Sequence, residues 1–215
     1  MLRLFIWDLD NTIIASSELL WGAFSWVAYK YLGKKLSPRE IVAMYGPPEG
    51  DIVERMVGKE LKAQALKDFY DFYLAHHDSR VRVFEPVVET IRYLKRKHTL
   101  QALFTSKGRK SAQITLEKTG MSSLFHVVVC GDEVLRPKPY PDGVSKILIR
   151  LRVNPRETIY FGDSPLDYKA ARMAGVFFGM TLWDALFETS SLKLKPRLCF
   201  EQPVDLQKWA RKMYP

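Results

Sequence analysis

From Val83 onward the chain alternates short apolar runs with helical patterns, and few folds accommodate that rhythm. Strands joined by helices lie parallel in one sheet. The apolar runs are LQALF (100–104), HVVVC (126–130), TIYFG (158–162), VFFGM (176–180) and LCF (198–200), with helical patterns near 86–97, 108–119, 140–152, 165–174 and 203–212. Strands so uniformly apolar suit a sheet covered on both faces. The opening run LRLFIW (2–7) belongs with them. The expected fold class is therefore α/β, with a Rossmann-like parallel sheet as its core.

Residues 16–82 break the rhythm. SSELLWGAFSWVAYKYLG opens with serines that can cap a helix and an acid in the first turn, runs through an aromatic-rich helical pattern and stops at Gly33. SPREIVAMYG repeats the plan, with Ser37 as N-cap, Pro38 at the first helical position and Gly46 at the end. Two more helices are expected near 49–58 and 60–77. The simplest architecture is a core of residues 1–15 and 83–215 with residues 16–82 inserted as an all-helical cap subdomain. The Trp and Tyr residues of 21–31 are expected to form the core of that cap.

With 47% hydrophobic and 27% charged residues in 215, the chain can bury a real core and is unlike a disordered one. Cys130 and Cys199 stand far apart in apolar contexts and read as buried thiols in a reducing cytosol, not as a disulfide framework. Acids interrupt the first apolar run at residue 8, unlike a signal peptide, and no apolar run approaches the roughly 18 residues that span a membrane. A soluble cytoplasmic protein is expected, monomer or homodimer, with no membrane partner. The net charge of +9 comes from scattered segments, KRKH (95–98), KGRK (107–110) and KLKPR (193–197). A field of this kind favours small anions in general, and no nucleic-acid partner is expected.

The chemistry gathers at strand ends. In an open parallel sheet, ligands bind beyond the carboxyl ends of the strands. Asp8 and Asp10 follow the first strand; Thr105 and Ser106 follow LQALF; Asp163, Ser164 and Asp167 follow TIYFG; and Lys138 sits between two prolines in RPKPYPD. Buried carboxylates repel one another and are costly unless paired or bound to a metal. Hard oxygen ligands suit Mg²⁺. A carboxylate can also attack phosphorus, while a metal, an ammonium and hydroxyl donors neutralise the phosphoryl oxygens. Each residue taken alone has a plainer use: Asp-Asn-Thr as a turn, Thr105 and Ser106 as helix caps, Lys138 as a solvated lysine, Asp163 and Asp167 as acids at a helix start. His76 and His77, adjacent on a helix, lack metal-site spacing and read as surface residues of the cap.

DLDNT, FTSKG, RPKPYPD and GDSPLDYKAARMAG, in this order and with a cap-sized insert after the first, resemble the four motifs of the haloacid dehalogenase-like hydrolase superfamily, in its phosphoglycolate-phosphatase-like branch. The resemblance spans nearly the whole chain. It implies a Mg²⁺-dependent phosphatase acting on a small phosphorylated metabolite, phosphoglycolate first among candidates, through an aspartyl phosphate. Asp8 would be the nucleophile and Asp10 the general acid and base, its main-chain carbonyl also a metal ligand. Thr105 would bind the phosphoryl group with Ser106 as a second candidate, Lys138 would balance charge, and Asp163 would bind the metal with Asp167 as a direct or outer ligand. Tyr45, Arg55, Lys107 and Arg109 are candidate substrate contacts, and YGPPEGD (45–51) a loop over the site. Asp10 argues against a dehalogenase, which needs no second acid. A phosphosugar mutase carries the same motifs, and a basic binding module with an idle core is the reading from another class.

Overall fold

The computed structural model describes residues 1–183 and 196–215. Among them the strands are β1 (Leu4–Trp7), β2 (Ile14–Ala15), β3 (Arg82–Val83), β4 (Leu100–Phe104), β5 (Val127–Val129), β6 (Thr158–Gly162), β7 (Phe177–Thr181) and β8 (Leu198–Phe200). The helices are α1 (Ser17–Leu32), α2 (Pro38–Val42), α3 (Glu49–Val57), α4 (Lys59–Arg80), α5 (Glu85–Arg96), α6 (Arg109–Lys118), α7 (Asp142–Leu151), α8 (Pro165–Met173) and α9 (Pro203–Met213). The protein is an α/β fold with a helical cap.

The sheet runs β5-β4-β1-β6-β7-β8, every pairing parallel. The chain passes from β1 outward through β4 and β5, then returns to β6 on the other side. The order therefore reverses around β1, which opens a crevice at its carboxyl end. Successive side chains of a strand point to opposite faces, so Phe5 and Trp7 enter one core with Phe161, while Leu4 and Ile6 enter the other with Tyr160. Trp7 stacks on Phe161 with centroids 4.8 Å apart and donates its indole N–H to Gln101 at 2.9 Å. Cys130 is buried as expected, but Cys199 is exposed. It lies on the edge strand β8, where Phe200 is the residue turned inward.

The four helices α1–α4 enclose a third core, built from Leu19, Phe24, Val27, Ile41, Ile52 and Phe69 among others. Trp26 and Tyr29 differ from expectation: they are 40% and 57% exposed, because only part of the aromatic pattern of α1 faces α4. α2 is a single capped turn, with Ser37 accepting the Glu40 N–H and Glu40 accepting the Ser37 N–H, and it ends before Gly46. α1 closes where expected, on Gly33 in the left-handed conformation (φ 63°), which relieves the residue of a Cβ penalty. Both connections between the two parts pass through the antiparallel pair β2–β3, which was not foreseen because two residues per strand leave no periodicity to read. Among the described residues no helix is long and apolar enough to cross a membrane.

Polar contacts join cap to core. The Tyr73 and Thr115 hydroxyls hydrogen-bond at 2.8 Å, and Lys118 Nζ lies 2.8 Å from Asp78. His77, expected on the surface, is 2% exposed and meets the same Thr115 hydroxyl through Nε2 at 3.2 Å, while His76 is half-buried against Phe72. The correction follows from α4 running on to Arg80, which turns His77 toward the core four residues after Tyr73. Burial holds the His77 imidazole below the ordinary histidine range, against the opposing pull of Asp78. A histidine with a depressed native pKa binds its proton more readily unfolded, so its contribution is lost as pH falls through the unfolded value near about 6.5. Urea denaturation should show a smaller loss of stability from pH 7.5 to 5 in His77→Gln than in wild type.

Candidate active site

β1 delivers Asp8 to the reversal point, and the backbone ladder continues one residue further, the Asp8 N–H reaching the Phe161 carbonyl at 2.8 Å. Asp8, Asp163 and Asp167 are all buried, and each offers a carboxylate oxygen within 4.8 Å of the others. Gly162 makes this approach possible, since a Cβ there would lie 2.6 Å from the Asp167 side chain. Lys138 is the counterweight: its Nζ lies 2.7 Å from Asp8 and 2.6 Å from Asp167. It also stands over the Phe104 and Tyr160 rings at 4.9 and 5.4 Å. The solvated-lysine reading is thereby excluded.

Asp167 serves two purposes. One oxygen accepts from Lys138 and from the Tyr160 hydroxyl at 2.6 Å, while the other closes a capping box with Ser164 at the start of α8. The helix-capping and site readings both hold for this residue. For Thr105 and Ser106 the capping reading fails, because the N-cap of α6 is Gly108 and the helix carries no side-chain cap. Thr105 is buried and its hydroxyl oxygen accepts the Lys107 N–H at 3.2 Å; Ser106 is half-buried in the same crevice.

Asp10 stands outside the carboxylate cluster. Its side chain accepts from the Ser16 hydroxyl and lies 3.3 Å from Lys107 Nζ. Ser17 in turn donates to Asn11 Oδ1 at 3.2 Å, so the two serines brace the acid-bearing turn and do not cap α1, which has no side-chain cap. Burial raises Asp8 to about 7, a push that Lys138 opposes and that Asp167 and Asp10 reinforce. Asp163 is driven well above the carboxylate range by burial and then by Asp167 and Asp8. Burial disfavours the charged form of Lys138, yet Asp167 and Asp8 together outweigh it and hold the ammonium above the usual lysine range. Lys107 is raised in the same way, mostly by Asp10, Tyr73 and Glu49 against its burial.

A cavity of about 330 Å³ lies between these strand ends and the cap. Of the candidate substrate contacts, Tyr45 and Lys107 line it. Arg55 is exposed, and Arg109 is committed to Glu133 through Nε at 2.8 Å and to the Val128 carbonyl at 2.8 Å. Two residues were missed. Tyr160, a polar tip inside an apolar strand, holds Asp167. Glu49, within the loop motif PPEG, is 5% exposed and reaches from the cap to the core, accepting the Gly108 N–H at 2.6 Å and the Ser111 hydroxyl. In the basic run 95–98, Lys95 and Lys97 donate to the Ser123 and Pro215 carbonyls, and residues 193–195 of KLKPR lie outside the described residues.

Removing one partner of a buried ion pair leaves an uncompensated charge, at a cost of about 3–5 kcal/mol. Lys138→Ala should lower the unfolding free energy by that order in urea denaturation with EDTA present, because Asp8 and Asp167 both lose their cation.

Residues 5–181 match the model of the haloacid dehalogenase-like hydrolases. The chain is 28% identical to pyrophosphatase PpaX of Anoxybacillus flavithermus over 94% of its own length and 93% of the relative's. Its fold is similar to that of β-phosphoglucomutase (pgmB) from Clostridium difficile, with a TM-score of 0.82, 19% identity, and 100% and 97% of the two chains covered. It is similar also to a predicted phosphoglycolate phosphatase from Haemophilus somnus, with a TM-score of 0.78, 21% identity, and 97% of each chain covered. Four motifs at the carboxyl edge of one parallel sheet, under a helical cap, place this chain in the haloacid dehalogenase-like hydrolase family.

Proposed function

We propose that the protein is a cytoplasmic, Mg²⁺-dependent phosphomonoester hydrolase that works through a phosphoryl group carried on Asp8. The observation that carries this reading is the buried cluster of Asp8, Asp163 and Asp167, with Lys138 paired to Asp8 and Asp167. Three carboxylates brought so close need more positive charge than one ammonium supplies, and the donor set, all hard oxygens, fits Mg²⁺. Asp8, Asp163 and the main-chain carbonyl of Asp10 would hold the ion, with Asp167 as a direct or outer ligand. Bound there, Mg²⁺ neutralises charge on the phosphoryl oxygens.

The remaining work falls to the chain itself. A carboxylate oxygen of Asp8 attacks phosphorus; the P–O bond to the leaving group breaks, and Asp10 gives that oxygen a proton. Water then attacks the same phosphorus, Asp10 takes its proton, the bond to Asp8 breaks, and inorganic phosphate leaves. Thr105 donates its hydroxyl hydrogen to the phosphoryl group, with Ser106 beside it, while Lys138 balances the charge of Asp8 and of the group it receives. Residues 16–82 act as a cap that opens and closes about the β2–β3 connection, excluding water while Asp8 is phosphorylated. The likeness to a β-phosphoglucomutase fold supports a second reading, in which the phosphoryl group returns to a sugar and does not pass to water.

The test is phosphate release from phosphoglycolate, pyrophosphate, sugar phosphates, nucleotides and p-nitrophenyl phosphate, with Mg²⁺ and with EDTA. Release should require Mg²⁺ and fall to background in Asp8→Asn. Asp10→Asn should lower kcat by roughly 10²–10⁴-fold, the usual weight of a general acid. A sugar phosphate isomerised without phosphate release would favour the mutase.

A further inference from the structure

The cavity has two unlike ends. Its floor carries the acids and lysines already described, whereas Leu20, Phe24, Val42, Ile52 and Leu166 supply its walls. Four of those five belong to α1, α2 and α3 of the cap. On the phosphoryl side Lys138 is committed to Asp8 and Asp167, while Lys107 Nζ pairs with Asp10 at 3.3 Å without a hydrogen bond, and on the cap side Glu49 is committed to Gly108 and Ser111. The Tyr45 hydroxyl, buried and without a hydrogen-bond partner, lines the cavity on the cap side; the Trp21 indole N–H, also without a partner, is not part of that lining.

Charge restricts the leaving group further. Among the described residues lining the cavity there are four carboxylates, Asp8, Asp10, Glu49 and Asp163, against two ammonium groups, Lys107 and Lys138. Both lysines already face carboxylates: Lys138 lies between Asp8 and Asp167, and Lys107, though without a hydrogen bond, lies 3.3 Å from Asp10, so the acids still outnumber the cations. A phosphate dianion and one divalent cation cancel each other. A second anionic group on the substrate, such as the carboxylate of phosphoglycolate or the far phosphate of pyrophosphate, would sit among apolar walls beside the Glu49 carboxylate. An anion buried without a counter-charge is costly, and so are sugar hydroxyls buried without partners.

Resting on the hydrolase reading, we infer that the enzyme selects phosphate monoesters of small, uncharged, predominantly apolar alcohols, and that the cap walls around Leu20, Phe24 and Val42 enforce the choice. The volume of about 330 Å³ stands at the small end of ligand pockets, which suits a leaving group of butyl or benzyl size. Tyr45 can serve one polar atom on it.

The experiment measures kcat/KM with Mg²⁺ for butyl phosphate and benzyl phosphate against phosphoglycolate, glycerol phosphate and pyrophosphate, in wild type and in Val42→Lys. Butanol is a poorer leaving group than glycolate, so intrinsic reactivity works against the expected order. Butyl and benzyl phosphate should exceed the charged and polyhydroxyl substrates by at least about tenfold in wild type, the scale on which apolar pockets discriminate. Val42, half-buried on the cap, gives a lysine room to reach solvent, and the variant should move the ratio toward phosphoglycolate. Phosphoglycolate, glycerol phosphate or pyrophosphate as the preferred wild-type substrate overturns the inference and leaves the hydrolase reading standing. Hydrolysis of none of the five by folded protein overturns that reading, and the inference with it.

Discussion

Three carboxylates and one ammonium, all taken out of water at the carboxyl edge of a parallel sheet, set the terms for the rest of this molecule. Burial, reinforced by the neighbouring carboxylates and opposed by Lys138, raises Asp8 to about 7, and burial drives Asp163 well above the carboxylate range, so the pairing with Lys138 does not repay the desolvation of the cluster. The fold meets that cost with rigid elements. β1 and β6 are adjacent and parallel, which fixes Asp8 beside Asp163; Gly162 lets Asp167 close in; Tyr160 and Ser164 hold the two oxygens of Asp167 in place. Lys138 reaches the same point from the loop before α7, its ammonium against two aromatic faces. Such an arrangement is unfavourable for its own sake, which supports the proposed binding of a divalent cation beside the phosphoryl group.

The cap joins this site through contacts of a different kind. Each part has its own apolar core, and the seam combines the packing of Ile114 against the cap core with polar contacts, Tyr73 and His77 on Thr115, Asp78 on Lys118 and Glu49 on the first turn of α6. Single hydrogen bonds are worth about 1 kcal/mol net, well below what either core loses when a large side chain is removed. The polar contacts of the seam are therefore weaker, one by one, than the packing inside either core. Glu49 binds beside Lys107, and Lys107 faces Asp10, so the docking of the cap and the electrostatics of the proposed acid are neighbours in one chain of contacts.

How much of this was legible depended on whether a residue's role is local. LQALF, TIYFG and LCF were readable to the residue, because a short apolar run bounded by turn residues has one use in an α/β chain. Asp8, Thr105, Lys138, Asp163 and Asp167 were readable from motif order, and they are brought together. The paired strands β2 and β3 were too short to leave a pattern. His77 and Arg109 were misjudged for a shared reason: what they touch, Thr115 and Glu133, lies far along the chain, and local sequence carries no trace of it. Ser16 looked like a helix cap because a serine before a helix usually is one, whereas here Asp10 takes its hydroxyl. Glu49 had a signal, an acid within a proline-rich loop over the site, but nothing in the sequence named its partner.

The same division explains why membership of a family stops short of a substrate. The groups proposed to treat the phosphoryl moiety stand on strand ends and loops of the core, where the sheet dictates their spacing. The groups that meet the leaving group stand on α1, α2 and α3, where amphipathic helices tolerate exchange of one apolar residue for another, or for a long basic one that reaches water. A cap that carries Leu20, Val42 and Ile52 at these places, with Glu49 as its committed acid, has been built without a cation for a second anionic group among its described residues. Relatives that share the floor can therefore differ in the walls, and it is the walls that decide which ester the shared chemistry reaches.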